Sequence, residues 1–247
     1  MKLTVIVPTL NEAAHLGASL ASLPREAEVV VADGGSTDET IAIATRFGAR
    51  VVTGSSGRAR QMNRGVDAAG GDTLLFLHAD CTLGPNAFNQ IQTALDGDNG
   101  DDGDDGDDVV GGSFRLSVRD ASWGLRWIAA TSNARARYLR MPYGDQALFV
   151  RRSAFEELGG FPEIPFMEDV ALVRKLKRLG KLVRVNETVT TGARHWQQLG
   201  SVRTTLLNWS MVTLYLLGVP AERLEPYYRR LRATRSTSKS EKVLSSS

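Results

Sequence analysis

The chain has 247 residues, of which 42% are hydrophobic and 23% charged, so it can form one α/β domain with a substantial core. No apolar run approaches the ~18 residues of a membrane-spanning helix, and the single cysteine, Cys81, excludes an internal disulfide. Eight of the 28 acidic residues lie between Asp96 and Asp108, which leaves 30 basic against 20 acidic residues and suits phosphate-bearing ligands or an anionic membrane face. Charge alone does not exclude nucleic acid.

The short apolar run before Pro8 does not fit a signal peptide, so we expect a cytoplasmic protein, soluble or peripheral to the inner face of the membrane.

The first eighty residues alternate short apolar runs with amphipathic stretches. The predicted strands are Leu3–Val7, Glu28–Ala32, Arg50–Thr53 and Thr73–Leu77. The predicted helices are Glu12–Leu23 with Asn11 as N-cap, Thr37–Phe47 ended by Gly48, and about Ala59–Ala69. Strands separated by helices of this length predict a parallel sheet with right-handed crossovers.

The segment from Asp96 to Asp108 interrupts this pattern, because it contains only Asp, Gly and one Asn. It can bury nothing, so we expect a disordered surface loop. A calcium loop is the alternative, but the glycines and the missing terminal glutamate do not fit an EF-hand.

Strands and helices resume after this segment. The further strands are Val109–Val118, Ala147–Val150 and Leu182–Val185, and the further helices are Ser122–Leu139, Val170–Leu179, Gly200–Leu217 and Ala221–Ala233. We therefore expect a domain of residues 1–199, a helical C-terminal region of residues 200–233 and a disordered, serine-rich tail of residues 234–247.

Polar segments follow three of the predicted strands, at Pro8–Glu12, Asp33–Asp38 and His78–Asp80. Ligands of open α/β sheets bind beyond the carboxyl ends of the strands, where these segments would meet. Each segment alone has a simpler explanation, since Asn11 and Thr37 can cap helices and glycines can turn the chain. Three in succession favour a binding site.

Fingerprints of other nucleotide-binding classes are missing. No G-x-G-x-x-G follows the first strand and no Walker P-loop occurs, which counts against a nicotinamide dehydrogenase and a P-loop NTPase. A nucleotidyltransferase would need a glycine-rich, basic loop where Thr9–Glu12 stands, so it remains the less favoured enzyme alternative.

Several motifs in sequence order resemble glycosyltransferase family 2, whose members have the GT-A fold. The matching segments are Val5–Glu12, Val31–Asp38, Asn63–Gly65, Ala69–Asp72, Leu75–Asp80, Pro142–Ala147, Gly159–Pro162 and Met167–Leu172. The pattern is most similar to a bacterial branch associated with arsenosugar biosynthesis and selenodomain proteins, from about Lys2 to Tyr228. The resemblance implies a mostly parallel central sheet flanked by helices, with a helical C-terminal region.

The resemblance also implies metal-dependent, inverting transfer of a sugar from a nucleotide-diphosphate sugar, above all a UDP-sugar. It assigns donor contacts to two groups of residues. The nucleotide pocket would be lined by Thr9, Asn11, Glu12 and Asp33, with Asp33 binding the ring N–H of the base. Either Arg58 or Arg60 would approach the base or the phosphates.

Asp80 would close the D-x-D element of the family, which binds the ribose and a Mn²⁺ or Mg²⁺ ion. The chain departs from the family at His78, where an aspartate usually begins this element. Because histidine is not a hard carboxylate ligand, the metal would be held by Asp80, phosphates and waters. The alternatives are a strand-end histidine with a structural role, or a nucleotide-binding domain that has lost catalysis.

On the acceptor side, Asp169 is the candidate general base that takes the proton of the attacking hydroxyl. Glu168 would face the acceptor, although both residues could merely complement a helix dipole. Asp145 would position the acceptor or donor sugar, or stabilise a turn. Arg194 would supply a cation and Trp196 a stacking ring, unless they are a loop arginine and a core tryptophan.

The acceptor implied is a small molecule or a lipid-linked molecule, and no nucleic-acid partner is expected. The C-terminal helices are followed by several arginines and could lie on an anionic membrane. Packing on the core or dimerisation would explain the same residues.

Overall fold

Eight strands form the centre of the protein. In chain order they are β1 Leu3–Thr9, β2 Glu28–Asp33, β3 Arg50–Thr53, β4 Thr73–Phe76, β5 Cys81–Leu83, β6 Val109–Val118, β7 Leu148–Arg151 and β8 Lys181–Thr191. The computed structural model describes residues 1–97, 109–119, 122–192 and 201–233. In the last of these ranges, side chains are described only for residues 206–231. The strands form one sheet in the order β3-β2-β1-β4-β7-β6-β8-β5.

Helices cover both faces of this sheet. They are α1 Ala13–Ala21, α2 Thr40–Arg46, α3 Arg58–Ala68, α4 Ala87–Asp96, α5 Trp123–Leu139, α6 Arg152–Glu157, α7 Glu168–Leu179, α8 Ser201–Leu216 and α9 Ala221–Ala233. Buried side chains of α1, α2 and α4 form one core with the sheet, and those of α3, α6 and α7 form another. Strand β1 serves both cores, since Val5 and Val7 face the first and Ile6 the second. Burial on both sides explains its nearly continuous apolar sequence.

The predicted parallel arrangement is confirmed for the first half of the chain. Strand β1 pairs in parallel with β2 and with β4, and β2 pairs in parallel with β3. The carboxyl ends of these strands therefore lie at one edge of the sheet. Among the described strands, β7 and β5 run against β1, because β7 is antiparallel to β4 and β5 is antiparallel to β8. The sheet is thus mixed but mostly parallel.

The chain after β4 contains elements that the sequence pattern did not predict. These are the short strand β5 and the helices α4 and α6. The last strand, predicted at Leu182–Val185, continues to Thr191 because β8 pairs with β6 along its whole length. Asp96, predicted to begin the acidic loop, is the last residue of α4, and Gly97 follows it with a φ of 83°. The rest of that predicted loop and the predicted tail lie outside the described residues.

Two predicted helix starts are wrong. Asn11 does not cap α1: it has a φ of 55°, and its Oδ1 accepts a hydrogen bond from the Thr37 N–H at 2.9 Å. Helix α1 begins at Ala13, after Glu12, and α2 begins at Thr40 rather than Thr37. Asn11 and Thr37 therefore hold two loops together, and this tertiary contact replaces the local cap.

The C-terminal helices pack against the start of α7. Met211 and Val212 of α8 and Leu224 of α9 share an apolar cluster with Met167 and Val170. The rings of Phe166 and Tyr228 stack with centroids 4.8 Å apart. One face of these helices is therefore occupied by packing on the core, one of the alternatives that the sequence left open. In the part of the chain that the structure describes, no helix is both long and apolar enough to cross a membrane.

Candidate active site at the edge of the sheet

Asp33, the last residue of β2, is fully buried and accepts four hydrogen bonds. Its Oδ1 accepts from the N–H groups of Gly35 and Ser36, both at 2.8 Å, and its Oδ2 accepts from Ser36 Oγ at 2.5 Å and Thr9 Oγ1 at 2.9 Å. Burial alone would raise the pKa of Asp33, but these bonds outweigh it and lower the pKa below its ordinary value. The carboxylate therefore fixes the loop after β2, and a base could reach it only by replacing one of these bonds.

The side chain of Gln61 links the ends of β1 and β2 through hydrogen bonds. This residue of α3 is buried, and its Nε2 donates to the carbonyl oxygens of Thr9 and Ala32 at 2.8 and 2.9 Å. Its Oε1 accepts from the N–H of Gly57 at 3.1 Å. Sequence analysis did not single out Gln61. A glutamine within a predicted helix gives no indication that it will bind the carbonyl groups at the ends of two strands.

The loop after β1 approaches the loop after β2. The N–H of Asn11 donates to Ser36 Oγ at 2.8 Å, and the N–H of Glu12 donates to Thr40 Oγ1 at 2.8 Å. The left-handed backbone of Asn11 is uncommon for a residue other than glycine. The predicted nucleotide-pocket residues Thr9, Asn11, Glu12 and Asp33 thus lie in one connected pair of loops.

Arg58, the first residue of α3, connects the donor-side loops to α7. Its Nη2 lies 2.5 Å from His78 Nε2, and its Nε lies 3.3 Å from Glu168 Oε1. Because a guanidinium only donates, His78 Nε2 accepts, which places the ring proton on Nδ1. Burial would lower the pKa of Arg58, but the carboxylates of Glu168, Asp169 and Asp145 raise it. Arg58 is therefore held as a cation in this cluster.

Arg60, the other arginine predicted to approach the base or phosphates, is exposed and lies apart from this cluster. Its guanidinium runs along Gly57, where an added Cβ would lie 3.1 Å from Arg60 Nε. The structure thus brings Arg58, but not Arg60, next to the other candidate residues.

Asp169 lies at the N-terminus of α7 and faces Gly144. Its Oδ2 accepts from the N–H of Gly144 at 2.7 Å, and its Oδ1 accepts from the N–H of Val170 at 2.8 Å. A Cβ added to Gly144 would lie 3.2 Å from Asp169 Oδ2, 3.2 Å from His78 Nε2 and 2.9 Å from Arg58 Nη2. These residues line one cleft beside Pro8 at the end of β1. Two donor-side candidates, Arg58 and His78, therefore meet the acceptor-side candidate Asp169 at Gly144.

Two further carboxylates beside Asp169 are only partly satisfied. Asp145 Oδ1 is a buried atom without a hydrogen-bond partner among the described residues, and the buried Glu168 Oε1 has among them only its ion pair with Arg58 Nε at 3.3 Å. Burial raises the pKa of both groups; Arg58 opposes this rise for Glu168, and Arg135 and Arg58 oppose it for Asp145. Perturbed acids of this kind are typical of functional sites.

Unusual backbone conformations flank these carboxylates. Met167, before Glu168, has a φ of 69°, and Ala147, after the short 3₁₀ turn Gly144–Gln146, has a φ of 51°. Left-handed residues with a Cβ are strained and cluster at sites where the surrounding structure imposes them. Both segments that carry the acceptor-side candidates are therefore held in imposed conformations.

Three potential metal ligands follow β4. Ligand atoms of His78, Asp80 and Cys81 lie within 4.8 Å of one another. Burial and the charge of Asp80 raise the pKa of the Cys81 thiol, and its soft sulfur does not suit a hard cation such as Mg²⁺ or Mn²⁺. His78 would have to give up its contact with Arg58 to bind through Nε2. Asp80 remains as the hard ligand, which fits a Mg²⁺ or Mn²⁺ ion whose other ligands are waters and phosphates.

The predicted acceptor-side residues Arg194 and Trp196 lie outside the described residues. The other predicted site residues come from the ends of β1, β2 and β4, from the start of α3 and α7, and from the turn after α5. A mostly parallel sheet with polar loops at the carboxyl ends of its strands is the arrangement in which open α/β folds bind their ligands.

Comparison with known families identifies the chain more closely. The family model described as "Glycosyl transferase family 2" matches residues 4–159, and the chain belongs to this family. It is 36% identical over 169 residues to a PGL/p-HBAD biosynthesis glycosyltransferase of Mycobacterium tuberculosis, covering 64% of this chain. It is also 31% identical over 159 residues to an uncharacterized glycosyltransferase of that organism, covering 63% of this chain and 70% of the relative. The chain spans 62% of the length of the first relative.

Solved structures confirm the GT-A-like fold. A mannosyltransferase from Pyrobaculum calidifontis, in complex with GDP-Man and Mn²⁺, has a TM-score of 0.63 at 20% identity and covers 97% of this chain and 75% of its own. S. aureus TarS has a TM-score of 0.59 at 19% identity and covers 78% of this chain and 61% of its own. The narrower resemblance to an arsenosugar branch remains a prediction.

Proposed function

We propose that the protein transfers a sugar from a nucleotide-diphosphate sugar to an acceptor hydroxyl, with a divalent metal and with inversion at the anomeric carbon. The observation that carries this proposal is the meeting of His78, Arg58 and Asp169 around Gly144. Donor-side residues from the sheet edge and a carboxylate from α7 thereby border one cleft. A transfer reaction needs such a place, where a leaving group and an attacking hydroxyl are held within reach of each other.

The proposed donor is a UDP-sugar. Among proteins with a similar fold, S. aureus TarS has been solved with UDP and with UDP-GlcNAc, and the Pyrobaculum enzyme with GDP-Man. In this chain Thr9, Asn11, Glu12 and Asp33 would form the nucleotide pocket. The base would bind Asp33 through its ring N–H in exchange for one of the present hydrogen bonds.

The proposed metal is Mn²⁺ or Mg²⁺, held by Asp80 together with donor phosphates. When bound, it would neutralise charge that develops on the diphosphate as the sugar leaves. His78 would donate from Nδ1 to a ribose or phosphate oxygen while Arg58 occupies its other nitrogen. Asp80 is the more important of the two, since it alone offers a hard anionic ligand.

Asp169 is the proposed general base. Its two oxygens each accept one backbone N–H, which orients the carboxylate and leaves lone pairs free for the proton of an acceptor hydroxyl. Displacement without a covalent intermediate inverts the anomeric carbon. Glu168 and Asp145 would contact the acceptor or the donor sugar, and Arg194 and Trp196 would complete that side.

We place this chemistry in a domain of residues 1–199, with the helices of residues 200–233 packed beside its acceptor side. The proposed acceptor is a small molecule or a lipid-linked molecule, and the proposed location is the cytoplasm or the inner face of the membrane. The arginines of the C-terminal helices are candidates for a peripheral membrane contact. Membership in an arsenosugar branch would make the acceptor a small molecule.

The first test measures thermal unfolding with UDP-, GDP-, CDP- and dTDP-sugars, each with and without Mn²⁺. We expect one donor to raise the melting temperature only when metal is present, and Asp80→Ala to abolish this rise. Asp67→Ala is the matched control, because Asp67 is an exposed carboxylate on α3 away from the cleft. A metal-dependent rise that survives Asp80→Ala would contradict the assigned ligand.

The second test identifies the product of turnover with the selected donor. Release of a nucleoside diphosphate and an inverted anomeric configuration by NMR are expected. Release of pyrophosphate would indicate a nucleotidyltransferase instead. Donor binding without any transfer or hydrolysis across a broad acceptor panel would favour a non-catalytic nucleotide-binding domain.

A further inference from the structure

Exposed apolar side chains are concentrated in one part of the molecule. Of the 14 large hydrophobic side chains exposed in the described residues, 11 belong to α5 or to the C-terminal region from Leu206 onward. The others are Met1, Leu10 and Phe47. Scattered exposed hydrophobic residues are ordinary, but a concentration of this kind marks an interaction surface.

Helix α5 is apolar on its outer face as well as on its inner one. Its inner face buries Leu125, Ile128, Ser132 and Ala136. Its outer face carries an exposed stripe at helical spacing, consisting of Trp123, Trp127, Ala130, Ala134 and Tyr138. Trp123 is 83% exposed, Trp127 50% and Tyr138 76%. A helix that merely covers a core has a polar outer face, so this stripe requires another explanation.

The stripe is flanked by arginines. Arg126 and Arg137 lie along one side of it, and both are exposed. The sequence from Val109 to Arg140 contains six arginines and one carboxylate, Asp120. Within the described stretches, no carboxylate pairs with Arg126 or Arg137. Among the residues that the structure describes, the positive charge beside the aromatic stripe is therefore not paired with a carboxylate.

The C-terminal end of α5 adds to this charge. Arg137 and Arg115 lie close enough to Arg184 of β8 that, together with burial, their charges lower the pKa of Arg184. The Arg184 Nε is buried and has no hydrogen-bond partner among the described residues. Three like charges held together in this way suit a phosphate or another anion that would relieve their repulsion.

We propose that the outer face of α5 docks the protein on an anionic phospholipid bilayer. The docking surface, called here the α5 surface, consists of Trp123, Trp127 and Tyr138 with Arg126 and Arg137. Its aromatic rings enter the interface between headgroups and acyl chains, and its arginines contact lipid phosphates. The inference deepens the proposed location at the inner face of the membrane by naming the docking surface; it rests on that location but not on the transfer reaction.

Charge complementarity favours a bilayer over the other possible occupants. A second copy of this chain would bring the same arginines face to face across a two-fold axis, where like charges repel. Single-stranded nucleic acid is bound in basic grooves that follow the backbone, whereas α5 presents a convex helix surface. Tryptophan and tyrosine between arginines are the usual composition of a helix that lies in the membrane interface.

The α5 surface lies next to the acceptor side of the candidate site. On the flank of α5, Arg135 donates from Nε to the Met141 carbonyl at 3.0 Å, and its guanidinium lies 3.4 Å above the Tyr143 ring. Tyr143 directly precedes Gly144, around which the candidate catalytic groups meet. One helix therefore contacts the segment leading into the site while its outer face reaches solvent.

The experiment is sedimentation of the whole protein with phosphatidylcholine vesicles that contain or lack phosphatidylglycerol. We expect binding to the anionic vesicles, weaker binding at high salt and little binding to phosphatidylcholine alone. Replacing both tryptophans, Trp123→Ala and Trp127→Ala, should weaken binding about tenfold or more. Phe47→Ala is the matched control, because Phe47 is 51% exposed and lies at the end of α2.

The charge contribution is tested separately with Arg126→Glu and Arg137→Glu together. The matched control is Arg25→Glu with Arg178→Glu, which reverses two exposed arginines elsewhere. Thermal unfolding of each variant checks its fold. In the unaltered protein, brominated lipids should quench tryptophan fluorescence, a measurement that needs no substitution.

Three results would overturn the proposal. The first is no binding of the unaltered protein to anionic vesicles and no quenching. The second is binding that the α5 variants leave at the level of their controls. The third is a dimer, or a complex with RNA, that the α5 substitutions abolish while vesicle binding is unchanged. Because no donor or acceptor is present, these results are independent of the test of sugar transfer.

Discussion

The two sides of the candidate site use carboxylates in opposite ways. On the donor side, Asp33 accepts four hydrogen bonds, and its pKa is lowered despite complete burial. On the acceptor side, Asp145 keeps a buried oxygen without a hydrogen-bond partner in the described parts of the chain, and Glu168 Oε1 has there only the ion pair with Arg58. Burial raises the pKa values of both groups. The strained backbone of Met167 and Ala147 also belongs to the acceptor side.

This contrast separates structural from functional use of the same side chain. A carboxylate that the protein has already satisfied stabilises the fold and has little capacity left for a ligand. A buried carboxylate that is left unsatisfied costs stability and is retained where chemistry or binding requires it. We therefore expect substitutions in the donor-side loops to lower stability, and substitutions on the acceptor side to lower activity.

The largest expected effect is on turnover, from Asp169→Asn. The amide keeps the shape of the side chain but cannot accept a proton, so we expect turnover to fall about a thousandfold, or ~4 kcal/mol in the barrier. Donor affinity should change less than about twofold, since Asp169 lies on the acceptor side. Steady-state kinetics with donor titration measures both quantities. Undiminished turnover would exclude Asp169 as the base, and Asp67→Asn serves as the control.

The donor side is tested by Asp33→Ala. It removes the acceptor of two partly buried N–H groups and two hydroxyls, so we expect the free energy of unfolding to fall by about 3–4 kcal/mol. Because the folded pKa is lowered, the contribution of Asp33 is complete above its unfolded pKa and is lost as the pH falls through the folded pKa. Urea unfolding of both proteins at several pH values measures this. A loss comparable to that of Asp67→Ala would contradict the structural role.

The sequence predicted the parts of this arrangement that depend on residues close together in the chain, and it missed those that depend on distant residues. The alternation of apolar runs and helices up to Thr73 is local, and it predicted the parallel half of the sheet correctly. Strand β5 has only three residues, too few for a periodic pattern, and it is a strand because β8 lies beside it. The extent of β8 depends in the same way on its pairing with β6.

The candidate site shows the same limit. Polar residues at successive strand ends indicated where the site lies, because parallel strands bring their carboxyl ends together. The pairing of Arg58 with Glu168 joins residues far apart in sequence and leaves no local signal. Asn11 has the residue type of an N-cap, yet a tertiary bond to Thr37 decides its conformation. Sequence patterns thus located the edge of the sheet but not the contacts within it.

Gly144→Ala tests how closely the two sides approach each other. The added Cβ would lie 2.9 Å from Arg58 Nη2 and 3.2 Å from Asp169 Oδ2, so both side chains must shift. We expect turnover to fall by about tenfold to a hundredfold because the reacting groups are displaced. Stability should change by less than about 1 kcal/mol, since the tightest contact is the end of a flexible arginine. Gly192→Ala is the control, because no described residue lies within 4 Å of its added Cβ. Equal turnover in the two variants would contradict the close approach.

The smallest expected effect is a gain in stability, from Asp145→Asn. In the folded protein the pKa of Asp145 is raised, so between its unfolded pKa of about 3.9 and the folded pKa the native state binds more protons than the unfolded state. Stability of the unaltered protein should therefore fall as the pH rises through this window. The uncharged amide avoids that loss, and we expect it to raise the free energy of unfolding by about 1 kcal/mol near neutral pH and by nothing below the unfolded pKa. Urea unfolding at matched pH values measures the difference. A destabilised variant at neutral pH would mean that Arg135 and Arg58 already compensate the charge of Asp145, and the contrast between the two sides of the site would then rest on Glu168 alone.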